Sequence, residues 1–482
     1  MVKDPVQLAQ LARSAAQRAD WAQAQILMAQ ALQLAPEAPA LHLNYGNILK
    51  QLGRYDEARI AYEQALHWQP DWADAHYNLG NLALLQHNAL AATEHYRATL
   101  DANPAHAEAH YNLATLLTNL GRFAPAHEHF AAALRLKPEY PDALHNLGRL
   151  YRREGELAQA RAHYLAALRL NPEHHLASYS LGTLSLLEGK WQEGWQGYES
   201  RWQALYRPYP NTPLPRWSGE VVNRSARLLV IGEQGFGDML QFVRFLPQLL
   251  HRFAQVTVLV PDTLQQLLQQ SLPPEINVVT SLSDHSGLTH HIPLMSLAAA
   301  LQIDEAKLDG APYLHPDPAA LAYWRQHLPT GFKAGLAWQG NPQQADNRWR
   351  SIPLAQLQSL LDLPGIHWCN LQYGAHPAQL RDDCAEWCNF ADTAAYIANL
   401  DLVVSSCTSI VHLAGALGVP TLLLSRVDAD WRWQTERSDS PWYSSLRILR
   451  QPGLDDWSAP VQQAAQYIGQ RQQSHATMVP SR

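Results

Sequence analysis

The segment DWADAHYNLGNLALLQHNALAATEHYRATLDANP, residues 71–104, is followed by AHAEAHYNLATLLTNLGRFAPAHEHFAAALRLKP, residues 105–138, and the two align over 34 positions without a gap. The same step extends outward in both directions. It joins Pro36, Pro70, Pro104, Pro138 and Pro172, and it joins Gly46, Gly80, Gly148 and Gly182, with Ala114 in the missing place. It also joins Tyr62, Tyr96, Phe130, Tyr164 and Tyr198, and Ala58, Ala92, Ala126 and Ala160, with Gly194 following. Several columns in one register mark a stacked-repeat architecture.

Each column has a physical job in a helical hairpin. Small residues let two antiparallel helices approach, and the aromatic is expected to fill the space between adjacent hairpins. Proline lies beyond the second helix, where a missing amide donor costs least. Gly53, Gly121, Gly155 and Gly189 open the turn between paired helices. The pattern resembles the tetratricopeptide repeat (TPR) over about residues 3–206, with complete units at 37–70, 71–104, 105–138 and 139–172 and divergent ends. The expected architecture is an α-helical TPR solenoid over 1–206.

One polar column bears on function. Asn44, Asn78, Asn112 and Asn146 recur at the sixth position of successive units, and Ser180 ends the series. Helical phase places them on the first helix of each hairpin. Asparagine both donates and accepts, so such a ladder can clamp a peptide backbone without reading side chains. The alternative is that the asparagines brace the repeats internally. His42, His76 and His110 form a neighbouring column, spaced too widely for one metal ion.

The chain of 482 residues holds two to four domains at about 100–200 residues each. Charged residues make up 16%, against the roughly 25% usual for soluble proteins. Alanine, leucine and glutamine take their place, as close-packed helices allow. The 36 Lys+Arg against 43 Asp+Glu give a net charge of -7, with no basic stripe for nucleic acid. The start lacks a signal-type apolar run, and no stretch is long and apolar enough to span a membrane. Cys369, Cys384, Cys388 and Cys407 cluster late in the chain, unlike a disulfide framework. Their spacing is a poor zinc pattern, so no metal is expected. These features point to a cytoplasmic protein.

After residue 207 the rhythm stops. PYPNTPLPRWSGE, residues 208–220, reads as a connector within 207–226. Short apolar strands then alternate with helices: RLLVIG from Arg227, AQVTVLV from Ala254, INVV from Ile276, AGLAW from Ala334, WCNL from Trp368, LVV from Leu402 and TLLL from Thr421. Such alternation implies parallel sheets. PTG at 329–331 divides two Rossmann-like lobes, 227–328 and 329–470, before a tail at 471–482. Facing lobes place a cleft at the carboxyl ends of both sheets.

Candidate chemistry falls on the turns after strands. Gly235, Gly237 and Asp238 follow the first strand; Asp238 could cap a helix or take a proton from a hydroxyl nucleophile. In the second lobe, SSCTS at 405–409 precedes HLAGALGVP at 412–420, so Ser406, Thr408 and Ser409 could join helix amides around a diphosphate. His412 could donate to that phosphate or stand as an interior histidine. Gln339 and Asn341 follow another strand, and Arg348 and Arg350 supply cations for a departing phosphate. DWRW at 430–433 and SPWY at 440–443 concentrate aromatics for stacking or for a packed boundary.

Together GEQGFGD at 232–238, GLAWQGNP at 335–342, RSIPL at 350–354, HLAGALGVP, DWRW and SPWY resemble the bacterial heptosyltransferase-related glycosyltransferases. The resemblance implies a two-lobed GT-B fold that uses a nucleotide-diphosphate sugar as co-substrate, with no metal or other cofactor. It puts the general base on Asp238, the diphosphate-binding segment on Thr408, Ser409 and His412, and the basic loop residue on Arg350. Cys407 stands where many relatives have aspartate, and the first lobe is short. The architecture is also similar to protein O-linked N-acetylglucosamine transferases, which pair an asparagine ladder with a two-lobed catalytic region. The expected function is inverting sugar transfer to a protein or peptide held by the array, with homo-oligomerisation an open alternative. The rival is a non-catalytic scaffold or nucleotide-sugar-binding interaction protein.

Overall fold

The computed structural model describes residues 4–478 apart from 283, 284, 286, 341–346 and 375. The chain divides into two compact units, one running to Tyr151 and taking in Ala158–His174, the other taking in Arg152–Leu157 and the chain from His175 onward.

In the first unit, helices pair as α1 (Pro5–Gln17) with α2 (Trp21–Leu34), α3 (Pro39–Gln51) with α4 (Tyr55–Trp68), α5 (Ala73–Leu85) with α6 (Ala89–Ala102), α7 (Ala107–Asn119) with α8 (Phe123–Leu136), and α9 (Pro141–Arg153) with α10 (Leu157–Leu170). The turns between partners contain a left-handed residue every 34 positions: Ala19 (φ 59°), Gly53 (73°), His87 (59°), Gly121 (75°) and Gly155 (83°). The turn conformation therefore persists where glycine does not, at Ala19 and His87.

The small and aromatic columns prove to be two halves of one contact. A β-carbon on Gly46 would lie 2.5 Å from the Tyr62 ring, and one on Gly80 or Gly148 would lie 2.7 Å from Tyr96 or Tyr164. The ring thus seats on its own hairpin's first helix and, as expected, also packs against the next hairpin: Tyr62 shares a buried core with Ala75 and Leu79, and Asn112 Nδ2 lies 3.4 Å from the Tyr96 hydroxyl. The hydroxyls find partners on that helix: Tyr62 donates to Asn47 Oδ1 (2.8 Å) and Tyr96 to Asn81 Oδ1 (2.7 Å), in each case the residue directly after the glycine.

The second unit begins with α11 (His175–Leu187), α12 (Trp191–Tyr198) and the short α13 (Arg201–Ala204). Gly189 turns the first pair with φ 74°, and Gly182 meets the Gly197 backbone directly. The proline-rich connector then lies along a sheet edge, where Trp217 N–H donates to His291 O and His291 N–H to Pro215 O.

Two parallel sheets follow. The first is built from β1 (Arg227–Ile231), β2 (Gln255–Leu259), β3 (Ile276–Val279) and β4 (His290–Pro293), in the order β3-β2-β1-β4. Its helices are α14 (Phe236–Phe242), α15 (Leu246–Leu249), α16 (Asp262–Ser271) and α17 (Leu297–Ala300). The second comprises β5 (Phe332–Ala337), β6 (Ile366–Asn370), β7 (Leu402–Ser405), β8 (Thr421–Ser425) and β9 (Leu446–Arg450), in the order β6-β5-β7-β8-β9. With it go α18 (Pro318–His327), α19 (Asn347–Arg350), α20 (Leu354–Leu361), α21 (Phe390–Ile397), α22 (Ser409–Ala416) and α23 (Ser458–Met478). The central strands are mainly apolar because both faces are covered. Leu336, Leu402, Val404, Leu422 and Trp457 share one buried core.

The crossing between sheets falls earlier than PTG suggests. Trp324 of α18 packs edge-on against Tyr396 of α21 at 4.8 Å, and Asn399 Nδ2 donates to Leu321 O, so α18 belongs with the second sheet. The crossing segment itself is pinned there: Tyr313 N–H donates to Ala416 O, and Ser444 N–H to Gly310 O. PTG is only the turn into β5, with Gly331 at φ 104°. At the far end α23 continues to Met478, well into the expected tail. Among the described residues, no helix is long and apolar enough to cross a membrane.

Candidate functional site

Each sheet reverses its strand order at one point, between β1 and β4 and between β5 and β7. Ligands of open α/β sheets bind outside the carboxyl ends of strands at such points. The loops leaving β1 and β7 lead into α14 and α22, and these helices pack on each other. A β-carbon on Gly237 would lie 2.8 Å from His412 Cδ2 and 3.4 Å from Ser409 Cα. Only a glycine permits this approach.

The loop after β1 is held from the repeat side. Arg201 donates to Glu233 from Nε (2.9 Å) and Nη2 (2.6 Å), and Met295 N–H donates to the same carboxylate (3.0 Å). Gln234 sits at φ 64°, and its amide exchanges hydrogen bonds with the Tyr198 hydroxyl. Gly235 is the N-cap of α14, and its N–H donates to Asp238 Oδ2 (2.9 Å).

Asp238 thus caps its helix, and its other oxygen accepts from Arg432 Nη2. Arg432 also donates from Nη1 to Asp430 Oδ1 (3.0 Å) and from Nε to Gln241 Oε1 (2.5 Å). Burial pulls the Arg432 guanidinium down, but Asp430 and Asp238 outweigh it and hold the group well above its ordinary value. Asp430 is held below the usual carboxylate range, since Arg432 more than offsets the cost of its burial. In the sequence DWRW stands out for its aromatics, and this arginine does not. An arginine between tryptophans, in a chain with carboxylates at strand ends, was the available signal.

After β7, Thr408 caps α22 by accepting from Ile410 N–H (3.3 Å), and Ser405 Oγ lies 3.2 Å from its hydroxyl. Ser406 donates its backbone N–H to Ala337 O (2.8 Å), while its buried hydroxyl has no partner among the described residues. Ser409 opens the helix. His412 is 5% exposed; its Nδ1 lies 3.0 Å from the Tyr443 hydroxyl and its ring stacks on Trp433. Burial, aided by Arg432, pushes its pKa down to about 3, so the ring is neutral at physiological pH. Cys407 accepts from Trp433 Nε1 (3.2 Å), and burial pushes its thiol up.

Arg350 packs against the Gly340 backbone, and its charge reaches Cys407. Gln339 has its N–H taken by Gln372 Oε1 (3.0 Å), with its side chain exposed, and Arg348 is exposed over Trp349. Asn341 lies outside the described residues. Gly235, Gly237, Asp238, Ser406, Thr408, Ser409 and His412 therefore gather where the two strand-order reversals meet, with Arg350 beside them. Cys369 and Cys384 are buried and Cys388 is exposed. No group of three or more His, Cys, Asp or Glu among the described residues is arranged to hold a metal ion.

The asparagine column splits in two. Asn112 Nδ2 donates to Asn81 Oδ1 (2.9 Å) and Tyr77 Oη (3.2 Å), and Asn146 Nδ2 to Tyr111 Oη (2.9 Å) and Thr115 Oγ1 (3.2 Å). These two brace one hairpin to the preceding one. For Asn44 and Asn78 the tyrosine's place, 35 residues earlier, is taken by Ala9 and Leu43, and among the described residues both side chains keep their donors free. The histidines are structural: His42, His76 and His110 each set Nε2 against the carbonyl of Pro36, Pro70 or Pro104, at 2.7, 3.0 and 3.1 Å.

Comparison with known proteins agrees with the repeat reading. The family described as TPR repeat matches residues 46–86, and tetratricopeptide-repeat families match residues 77–143 and 141–174. Protein FlbA of Caulobacter vibrioides is 28% identical over 305 residues, covering 54% of this chain and 49% of FlbA. The chain thus spans about half the length of that curated relative. Among solved structures, YrrB, a TPR protein with an unusual peptide-binding site, aligns at 24% identity and TM-score 0.32 over 36% of this chain and 90% of its own. The type IV pilus biogenesis factor PilW aligns at 20% and 0.38 over 42% and 94%, and Pseudomonas aeruginosa pilF at 19% and 0.38 over 42% and 91%. The N-terminal ~200 residues are tetratricopeptide repeats, followed by an α/β region with parallel sheets. Repeats of this kind support a protein-interaction scaffold.

Proposed function

We propose that the chain is a glycosyltransferase that moves a sugar from a nucleotide-diphosphate donor to a protein or peptide bound by the repeats. The observation that carries this reading is the contact of Gly237 with His412 and Ser409, which brings Asp238 and the start of α22 to one place. The two sheets would act as the lobes of a GT-B enzyme, in keeping with the motif resemblance. Thr408, Ser409 and the first amides of α22 would take the diphosphate, with Arg350 as counter-ion. Asp238 would accept the acceptor hydroxyl's proton as its oxygen bonds to the anomeric carbon and the bond to the diphosphate oxygen breaks, inverting that centre. Its two hydrogen bonds leave a lone pair on each oxygen for that proton. Asn44 and Asn78 would contact the acceptor backbone.

A second reading is favoured by one observation: both Asp238 oxygens are already engaged, by Gly235 N–H and by Arg432. On that reading the region binds a nucleotide sugar without turnover. Calorimetry and mass spectrometry with a panel of nucleotide sugars separate the two. The transferase reading expects Asp238→Asn to keep donor binding and lose about 10²–10⁴ in kcat. Donor binding without turnover by the wild type would leave the binding reading standing.

A further inference from the structure

Arg432 stands 194 positions from Asp238 in sequence and is 5% exposed. Its three donating nitrogens meet three acceptors, Asp238, Asp430 and Gln241, on different sides of a rigid planar fork. Its carbon face lies 4.1 Å over the Trp431 ring, which Trp195 and Trp442 bound at 5.2 and 6.0 Å. The guanidinium therefore has one orientation, and Trp195 of the last repeat hairpin helps to set it.

The charges around Asp238 are as informative as the geometry. Facing it are Arg432 and Asp430, the neutral His412 behind Gly237, and the un-ionised Tyr179 and Tyr198 of α11 and α12. Two carboxylates share one guanidinium, a local charge of minus one. If Asp238 takes up a proton, Arg432 and Asp430 remain as a neutral pair and no buried cation is stranded. A single Asp238–Arg432 pair would lack that property.

We propose that Arg432 is the positioning residue of Asp238 in sugar transfer, an inference that rests on the transferase reading above. Arg432 fixes the plane of the carboxylate, together with Gly235 N–H, and Asp430 keeps Arg432 paired through the proton transfer. It acts through Asp238 rather than on the donor.

The test uses the full-length chain, the donor that the wild type turns over, and four variants: D238N, R432Q, R432K and the D238N/R432Q double. R432Q is expected to lose about 10²-fold in kcat with donor binding held within about threefold, and R432K to recover part of that loss. Adding R432Q to D238N is expected to cost nothing further, because the residue acts through the one already removed. Wild-type kcat in R432Q, donor binding that falls in parallel with kcat, or losses that multiply in the double variant would each overturn the assignment. If R432Q does not fold, R432K carries the test: the single nitrogen of an ammonium cannot reach three acceptors that Arg432 meets with three separate nitrogens of a planar fork, so a kcat equal to wild type overturns it. A wild type without turnover on any donor removes the transferase reading itself, and this inference with it.

Discussion

Arg201 holds Glu233 in a two-bond fork, with Nε at 2.9 Å and Nη2 at 2.6 Å, and so ties the helix after the last repeat to the loop after β1. Both side chains are buried, at 1% and 7% exposure. Removing one partner of such a pair strands a charge. Arg201→Met is expected to destabilise the second unit by about 3–5 kcal/mol in chemical unfolding, with Arg201→Lys recovering little because an ammonium cannot reproduce the fork. A loss under about 1 kcal/mol would mean the loop is held by other contacts.

The Tyr96 ring fills the space a β-carbon on Gly80 would need. Gly80→Ala should therefore cost about 1–3 kcal/mol through overpacking. Shrinking the ring in the same chain, Tyr96→Leu, should recover part of that loss, since the clash is with the ring itself. Additive losses in the double variant would show that the glycine serves some other purpose.

Asn112 and Asn78 occupy equivalent positions with different surroundings. Asn112→Ala breaks bonds to Tyr77 and Asn81 and should cost about 1 kcal/mol of stability. Asn78→Ala should stay within about 0.5 kcal/mol of wild type while weakening acceptor-peptide binding, measured by fluorescence anisotropy. Equal stability losses at the two positions would place Asn78 among the bracing residues.

Acid sensitivity follows from two buried histidines. Burial pushes His145 and His412 each down to about 3, whereas an unfolded imidazole titrates near about 6.5. The folded value is depressed, so the stability is fully present above the unfolded value and is lost as pH falls from there toward the folded one. Each histidine should contribute a slope of about 1.4 kcal/mol per pH unit in that window. Urea unfolding between pH 7.5 and 5 reads it, and His145→Gln should flatten the first unit's slope by one proton. An unchanged slope would show that His145 is not held neutral.

The repeats were legible because a period of 34 writes the same contact many times, so chance matches are averaged away. Even so, nothing in the sequence marks Ala19 and His87 as left-handed turn residues, since only glycine announces that conformation. The boundary near residue 329 is displaced for a related reason. Pro-Thr-Gly looks like a hinge, but α18 takes its place from Trp324 packing on Tyr396, which no local pattern records. Within the candidate site, Asp238, Thr408 and His412 sat in glycine- and hydroxyl-rich turns that draw the eye. Arg432 sat among tryptophans, and its connection to Asp238 exists only once the chain has folded. The bracing role of Asn112 and Asn146 was within reach: Tyr77 and Tyr111 precede them by 35 positions, and Leu43 breaks the pairing for Asn78.

The fork between Arg201 and Glu233, with the Trp195 indole donating to Ile303 O at 2.8 Å, decides where the polypeptide can be cut. A protease or a gene truncation acting at residue 206, where the repeat pattern ends, would lay bare Trp191, Trp195, Tyr198 and Trp202 on one fragment. The other fragment would keep Glu233 without its cation. Both pieces would be prone to aggregate. Severing the chain between His174 and His175 instead keeps that tryptophan face under its own cover. The final repeat is spelled like its predecessors, yet its inheritance in any gene fusion or domain exchange should follow the α/β region.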